Sequence, residues 1–282
     1  MKETLLFYSN KGNVTDKSLK EALKLLITSG ADILYIHTAL NFGIPNNEIR
    51  KKELLDILLD LLMGFNVNTI IFPAYTFSFC NGVNFNVKES RTPMGLLNDY
   101  ARLKEYAIRS VDPLMSNVLI GGNKEFVTKI GKCSVGEDST FDLLHKSGLN
   151  VKFLFFGPRP GDCFTYMHYI EERENVPYRY NRTFTGEIIN GDNKYEESYE
   201  LFVRFSNVKP GLGSYAYETI LLERMIARKQ KIGDSSITLI DEKGAYETYQ
   251  ELIRKYPNFF LDEPFEDAAK TTLFEVKNMV AL

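Results

Sequence analysis

The chain has 282 residues, of which 44% are hydrophobic and 25% charged, and its formal net charge is -3. This is the balance of a soluble globular protein, without the basic character that nucleic acids or anionic membranes attract. The three cysteines lack metal-site or disulfide spacing, no apolar run reaches the ~18 residues of a membrane span, and the N-terminus lacks a signal-peptide core. We therefore expect a cytoplasmic protein with no nucleic-acid partner and no membrane span.

The first part of the chain alternates helices with apolar strands. Thr15-Asp16 predicts the start of a helix, and the β-forming run Asp32–Thr38 predicts the first core strand. A second helix is predicted from about Asn47 to Met63 and a second strand from Val67 to Pro73. This order is typical of a parallel or mixed sheet covered by helices.

Further along, an apolar strand is predicted at Val151–Phe156, and the Asn190-Gly191 pair predicts the turn of a hairpin spanning about Arg182 to Phe205. Helical runs around Thr219–Arg228 and Ala245–Lys255 flank a short predicted strand. The fold class predicted is α/β, with a mixed, largely parallel central sheet flanked by helices and an added antiparallel β portion in the C-terminal third. No repeat or linker divides the chain, so residues 1–282 are predicted to form a single domain.

The stretch from Cys163 to Arg173 predicts the catalytic centre. In a helix, Glu171 and Glu172 lie three and four residues after His168, so either carboxylate can reach the imidazole. A carboxylate that binds one ring nitrogen fixes the tautomer and leaves the other nitrogen as a base near neutral pH. An ion pair on a solvated helix face is the alternative. The position after the carboxyl end of an apolar strand favours the catalytic interpretation, because open α/β sheets bind ligands there.

Six stretches of the chain resemble, in order and spacing, the aminoglycoside 3-N-acetyltransferases and their relatives. They are Asp32–Thr38 with Gly43, Phe72–Ser78, Pro93–Gly95, Arg109–Ser116, Thr165–Glu171 and Val176–Arg179. The resemblance covers about 15–185, which it implies as the core of one acyltransferase domain, with a more divergent portion at 186–282. It implies an enzyme of EC 2.3.1 type that moves an acetyl or other short acyl group from acyl-CoA to the amine of an amino sugar, with no metal.

The resemblance also implies roles for individual residues. His168 matches the family's general base and Glu171 its orienting carboxylate, with Glu172 as the fallback partner; direct attack on the thioester requires no cysteine nucleophile. The loop Thr38–Asn47 would offer backbone donors to the phosphates of CoA. Predicted cofactor-binding residues are His37, Thr38, Gly43, Tyr75, Thr76, Ser78, Arg109, Ser110 and Ser116. For several of these residues, an ordinary structural hydrogen bond remains the alternative, and His37 also fits a core histidine.

The acceptor is predicted from the surroundings of His168. Where the family has Arg-Ser-x-His-Pro, this chain has Asp112 in place of the histidine, so that a contact of the histidine with cofactor or acceptor is lost or changed. Aminoglycosides are polycations and require several carboxylates, whereas the neighbouring stretches carry aromatic and neutral polar residues. Predicted substrate-binding residues are Phe77, Asp112, Tyr166 and Tyr169, and the arginines that could meet a phosphate are Arg159, Arg179 and Arg182.

We therefore expect a surface-glycan amino sugar, free or nucleotide-linked, as the acceptor. An antibiotic-resistance aminoglycoside 3-N-acetyltransferase and a catalytically impaired CoA-binding homologue stay as alternatives. A metal hydrolase built on His168 and Glu172 is a further alternative, but zinc needs another protein ligand and the remaining histidines are His37 and His145. A homodimer is kept as a candidate assembly, and His145 is expected at the surface.

Overall fold

The computed structural model describes residues 3–28, 30–265 and 271–274. Its helices are α1 (Asp16–Leu26), α2 (Lys51–Met63), α3 (Leu96–Arg102), α4 (Glu125–Thr128), α5 (Thr140–Lys146), α6 (Pro160–Cys163), α7 (Tyr166–Arg173), α8 (Gly213–Glu223) and α9 (Glu242–Lys255). Its strands are β1 (Leu5–Tyr8), β2 (Val14–Thr15), β3 (Ile33–Thr38), β4 (Ile44–Pro45), β5 (Thr69–Pro73), β6 (Phe85–Asn86), β7 (Ile108–Arg109), β8 (Asn117–Gly121), β9 (Val151–Phe156), β10 (Arg179–Asn190), β11 (Asn193–Arg204), β12 (Ala227–Ile232) and β13 (Ser235–Asp241).

The central sheet has seven strands in the order β12-β13-β9-β3-β5-β8-β7. Its middle strands, β9, β3 and β5, are parallel, and β13 and β8 pair antiparallel on either side of them. Because β12 and β7 reverse direction again, five of the seven strands run the same way. The predicted mixed, largely parallel sheet is thus confirmed. The three middle strands are almost entirely buried, which explains their continuous apolar sequences.

The sheet separates two layers of hydrophobic core. Alternate residues of β3 point to opposite faces, so Ile33 and Tyr35 pack in one core while Leu34 and Ile36 pack in the other. The first core includes side chains of α5, α7 and α9, and the second includes the leucines of α1 and α2. This arrangement places α7, which carries the predicted catalytic residues, on the first face.

The antiparallel addition is a hairpin of two twelve-residue strands, β10 and β11, joined at Gly191 in the left-handed region with φ 62°. Its register pairs Asn190 with Asn193 and, at the other end, Arg179 with Arg204. Strand β6 adds to it in parallel. The Asn-Gly turn therefore predicted the hairpin correctly, although β10 begins three residues before Arg182.

Two predicted helices have different bounds. Helix α2 begins at Lys51 rather than Asn47, because Asn46 accepts the N–H of Glu48 and ties the preceding loop to the carbonyl of Leu5. The prediction of helix as far as Arg228 is wrong, since α8 ends at Glu223 and Met225 adopts φ 57°. The chain then enters β12, an edge strand whose cationic residues are typical of protected sheet edges.

No helix within the described ranges is both long and apolar enough to cross a lipid bilayer. The organisation as one domain, with a core at 15–185 and a divergent portion at 186–282, stays a prediction. Residues 1–2 and 275–282, at the two ends of this predicted domain, lie outside the described part of the chain.

Candidate active site

Helix α7 begins near the carboxyl ends of the parallel strands. After β9, Gly157 turns the chain with φ 104°, and a Cβ at this position would lie 1.8 Å from the carbonyl oxygen of Ala39. Glycine therefore allows the elbow to pack directly on the loop that follows β3. From this elbow the chain passes through α6 into α7, where His168 and Glu171 lie one turn apart.

His168 and Glu171 form a hydrogen bond of 2.8 Å between Nδ1 and Oε2. An ionised carboxylate only accepts hydrogen bonds, so Nδ1 carries the proton and Nε2 keeps a free lone pair. The His168 side chain is 35% exposed and that of Glu171 is 4% exposed. The ring thus has one edge open to a ligand while its carboxylate partner is enclosed by protein.

Glu171 is held ionised by its neighbours. Tyr178 donates its hydroxyl to Oε1 at 2.9 Å, and the guanidinium of Arg179 lies 2.9 Å from Oε2. Burial alone would raise the pKa of Glu171, but the charge of Arg179 and the bond from His168 lower it to about 2. The carboxylate is therefore a stable acceptor throughout the neutral pH range.

Burial lowers the pKa of His168, and the charge of Arg179 lowers it further because Nη2 of Arg179 lies 3.1 Å from Nδ1. Glu171 acts in the opposite direction, and Arg204 adds a smaller lowering effect. The net shift is downward. At neutral pH the imidazole is accordingly uncharged, which is the form that can accept a proton.

Glu172, the alternative partner, lies on another face of α7. Its carboxyl group packs against Gly136, where a Cβ would come within 2.7 Å of Oε1. Burial raises the pKa of Glu172. The geometry favours Glu171 as the partner of His168.

A chain of hydroxyl contacts ties the start of α7 to the sheet. Tyr75, which follows β5, contacts Oγ1 of Thr165 at 2.9 Å and the hydroxyl of Tyr35 at 2.8 Å. Tyr35 in turn donates to Oδ1 of Asn117 at 2.6 Å. Burial raises the pKa of both tyrosines. Tyr75, predicted to bind the cofactor, thus uses its hydroxyl to hold α7 against β3, β5 and β8.

Several other predicted cofactor residues also make structural hydrogen bonds. Thr38 donates to Oδ1 of Asn98 at 2.6 Å, and Thr76 donates to the carbonyl of Pro113 at 2.8 Å. At Gly43, with φ 149°, a Cβ would lie 2.2 Å from the carbonyl oxygen of Tyr8, so the close neighbour there is the end of β1. Ser78 is exposed.

Arg109 and its two neighbouring serines stabilise the turn before β8. Arg109 donates to the carbonyl of Ala74 at 2.6 Å and to Oγ of Ser116 at 3.1 Å, and burial lowers its pKa to about 9. Ser116 donates to the same carbonyl at 2.6 Å, while Oγ of Ser110 accepts the N–H of Asn117 at 2.9 Å. The anticipated alternative of structural hydrogen bonds is present at each position, and binding of the cofactor by these residues stays a prediction.

His37 lies in the core rather than at an open surface. Its ring stacks on Phe155 with centroids 5.0 Å apart, and Nε2 has no hydrogen-bond partner among the described residues. Burial lowers the pKa of His37 to about 3, so the ring is neutral. His145 is partly exposed and bonded to Glu242 through Nδ1 at 2.7 Å.

The predicted substrate residues occupy two different environments. Tyr166 and Tyr169 are buried and bond through their hydroxyls to Glu242 and Asp142. Asp112 is buried as well, and its Oδ1 accepts two backbone N–H groups and the hydroxyl of Ser134. Burial raises the pKa of Asp112. Phe77 is partly buried on the 3-10 turn after β5. In this conformation the two tyrosines and Asp112 support the core, and their contact with an acceptor stays a prediction.

The three arginines suggested as phosphate contacts have protein partners. Arg159 approaches Glu218 at 3.3 Å, Arg179 pairs with Glu171, and Arg182 donates to the carbonyl of Phe274. Sequence reasoning missed Arg204, which lies directly opposite Arg179 in the hairpin. The signal was available, because the register set by the Asn190-Gly191 turn pairs these two positions.

No group of three or more histidine, cysteine or acidic side chains in the described ranges is arranged to hold a metal ion. The free cysteines, Cys80, Cys133 and Cys163, are partly buried, and burial raises the pKa of each thiol.

Solved structures similar to this chain include proteins described as aminoglycoside acetyltransferases. Three similar solved structures are AAC-IIIb in a binary complex with CoASH (18% identity, TM-score 0.72, 89% of this chain and 99% of that one), AAC-VIa bound to sisomicin (16%, 0.69, 85% and 97%) and the YokD protein from Bacillus subtilis (16%, 0.70, 90% and 96%). At these identities the likeness shows the fold. None of the curated protein sequences matches this chain.

The family is shown by a sequence model described as aminoglycoside 3-N-acetyltransferase, which matches residues 68–254 and therefore more than half of the chain. The match includes α7, the elbow before it and the hairpin after it. The chain belongs to the aminoglycoside 3-N-acetyltransferase family and is an acyl-CoA-dependent N-acetyltransferase that takes acetyl-CoA as co-substrate.

Proposed function

We propose that this protein transfers the acetyl group of acetyl-CoA to the amine of an amino sugar, with His168 as general base and Glu171 as the residue that positions it. The observation that carries the proposal is the 2.8 Å bond from Nδ1 to Glu171, which leaves Nε2 unprotonated at an open ring edge. Neither a metal nor an acyl-enzyme is part of the proposed mechanism.

In the proposed reaction, the amine nitrogen attacks the thioester carbonyl carbon as Nε2 accepts the amine proton. A C–N bond forms, the C–S bond breaks, and the proton on Nε2 passes to the departing sulfur, which leaves as the CoA thiol. Glu171, kept ionised by Arg179 and Tyr178, stabilises the imidazolium during this transfer. A general base of this kind contributes ~10²–10⁴-fold to the rate.

Backbone groups of the loop after β3 suit the polar parts of acetyl-CoA. Leu40 and Asn41 are partly or fully exposed, and their amide N–H groups have no protein hydrogen-bond partner among the described residues. Nearby, Gly95 and Gly157 bring other backbone segments against Thr38 and Ala39. We infer that this loop holds part of the CoA, because exposed amide donors stabilise phosphate and carbonyl oxygens.

For the acceptor we propose an amino sugar of surface-glycan synthesis, free or nucleotide-linked. Asp112 is buried with its Oδ1 bonded to backbone N–H groups, and both oxygens of the buried Glu171 are occupied, so neither carboxylate presents an open face to a polycation. A clinical aminoglycoside is the second candidate, because the family is described by that activity and a similar structure, AAC-VIa, is bound to sisomicin.

The test is release of CoA thiol from acetyl-CoA with glucosamine, a nucleotide-linked amino sugar or gentamicin as the acceptor. Turnover of an amino sugar by wild-type protein, with a large loss in His168→Gln, supports the proposal. Turnover of gentamicin with none of the monosaccharide amines would replace the proposed acceptor by the second candidate.

A further inference from the structure

Two arginines face each other beside the catalytic pair. Arg179 and Arg204 form the first cross-strand pair of the β10–β11 hairpin, so their side chains project from the same face. Like charges directly opposite each other in an antiparallel pair are destabilising. A sequence that keeps them there needs a compensating negative charge at that face.

The described part of the protein itself supplies too little negative charge to balance Arg179 and Arg204. Arg179 lies 2.9 Å from Oε2 of Glu171 and donates to the carbonyl of Phe202 at 3.1 Å. Across the ranges that the structure describes, the Arg204 side chain makes no hydrogen bond, ion pair or ring contact, although it is only partly exposed. Its guanidinium stays charged at neutral pH and has five N–H donors to satisfy.

Glu171 does not provide a hydrogen-bond acceptor for Arg204. One of its oxygens accepts from Tyr178, and the other contacts His168 and Arg179. Burial and the charge of Arg179 lower the pKa of Arg204, and the charge of Glu171 offsets only part of this, so the site disfavours a second positive charge. With His168 neutral, two guanidinium groups therefore share one carboxylate next to the base.

We propose that Arg204, together with Arg179, binds a phosphate or carboxylate group carried by the amino-sugar acceptor. This inference rests on the proposed function, since it places the anion on the molecule whose amine meets His168. Guanidinium groups pair well with such anions because parallel N–H donors match two acceptor oxygens. The same positive charge opposes a polycationic acceptor, which sharpens the choice between the two acceptor classes.

The other anion available to this enzyme is CoA itself, and its position argues against it. The pantetheine arm separates the CoA phosphates from the thioester, whereas the base must lie at the thioester end. Arg204 lies opposite Arg179 in the hairpin, and Nη2 of Arg179 is 3.1 Å from Nδ1 of His168. The anion at Arg204 therefore belongs to the acceptor, and acetyl-CoA affinity should not depend on this residue.

The test compares glucosamine with glucosamine 6-phosphate and glucosamine 1-phosphate in the thiol-release assay. We expect wild-type protein to favour at least one sugar phosphate over glucosamine in kcat/KM by roughly 10–100-fold, the usual value of a charge-assisted hydrogen bond. Arg204→Gln should bring the ratio of kcat/KM for the sugar phosphate to kcat/KM for glucosamine down to about one, and Arg204→Lys should retain part of the preference. Arg224→Gln, which removes an exposed arginine paired with Glu251, is the charge-matched control.

Measuring anion binding to the CoA-loaded protein tests the anion site separately from the proposed acetyl transfer. Tighter binding of inorganic phosphate or a sugar phosphate to wild type than to Arg204→Gln, without turnover, would support the anion site and contradict the proposed function. Turnover of glucosamine with no preference for either phosphate would contradict the anion site and leave the proposed function standing. Equal anion binding by wild type and Arg204→Gln would also overturn the inference.

Discussion

Two histidine–glutamate pairs of nearly the same geometry lie within the described part of the chain. In one, Nδ1 of His168 lies 2.8 Å from Glu171, and in the other, Nδ1 of His145 lies 2.7 Å from Glu242. The second pair lies near the amino end of β9, where α5 ends and α9 begins, and its carboxylate is shared with the hydroxyl of Tyr166. His145 also stacks on Tyr246 at 4.0 Å.

The surroundings distinguish the pairs. His168 lies beside two guanidinium groups, on a helix whose N-cap residue Thr165 is bonded to Tyr75. His145 is instead covered by an aromatic ring and flanked by Lys146. A histidine bonded to a carboxylate is thus not by itself evidence of a base. The position at the carboxyl ends of parallel strands and the cations that keep the imidazole neutral are the features that favour His168 as the proposed base.

The largest difference in kcat should appear between two single variants, one at His168 and one at His145. His168→Gln should lower kcat by ~10²–10⁴-fold, because glutamine cannot accept the amine proton. His145→Gln should leave kcat within a few-fold of wild type. Thiol release at saturating acetyl-CoA measures both, and equal losses in the two variants would remove the distinction.

The second-largest loss of kcat should come from replacing a carboxylate on α7. Glu171→Gln should lower kcat by roughly 10–10³-fold, since an amide steadies the imidazolium less well than a carboxylate and does not fix the tautomer. Glu172→Gln, which changes the neighbouring carboxylate packed against Gly136, serves as the matched control and should have little effect. A more harmful Glu172→Gln would transfer the positioning role to that residue.

Replacing Arg179 and replacing Arg204 should have different effects on the thermal stability of the protein. Arg179→Gln leaves the buried carboxylate of Glu171 without its ion pair and should destabilise the fold by ~3 kcal/mol. Arg204→Gln relieves the repulsion of a cross-strand like-charge pair, so its Tm should equal or exceed that of wild type. Thermal unfolding at pH 7 measures both, and a marked fall in Tm for Arg204→Gln would indicate a structural role for that residue.

The smallest effect is a displacement of the pH profile. The kcat/KM of wild type should rise with pH through the pKa of His168, which burial and Arg179 hold below its ordinary value of 6.5. Removing the positive charge in Arg179→Gln stabilises the imidazolium, so the acid limb should move to higher pH. Arg179→Lys keeps the charge and should move it less. A shift to lower pH would contradict the assigned electrostatics.

The buried strands and the hairpin could be predicted from sequence because their signals are local. The apolar run Val151–Phe156 is enough to predict a strand, and the pair Asn190-Gly191 is enough to predict a hairpin turn. The edge strand Ala227–Ile232 could not be predicted in this way, since its mixed polar sequence reflects its place at the rim of the sheet.

The pairing of His168 with Glu171 also follows from local spacing, whereas the surroundings of the site depend on distant contacts. Helical spacing allows both Glu171 and Glu172, and only packing against Gly136 directs the second carboxylate away. The burial of Tyr166 and Tyr169 depends on Glu242 and Asp142, which are 76 and 27 residues distant in sequence. The hairpin register sets Arg204 beside the base, and that requires combining two signals.

The most direct test of the central claim is to follow the acetyl group itself. Wild-type protein and His168→Gln are incubated with an amino sugar and acetyl-CoA labelled in the acetyl carbons, and the N-acetyl product is quantified alongside the released thiol and the affinity for acetyl-CoA. The account predicts equal amounts of acetamide and thiol from wild type, and a loss of both in His168→Gln with unchanged affinity. Product formation by His168→Gln at the wild-type rate, or thiol release without acetylated amine, would contradict it.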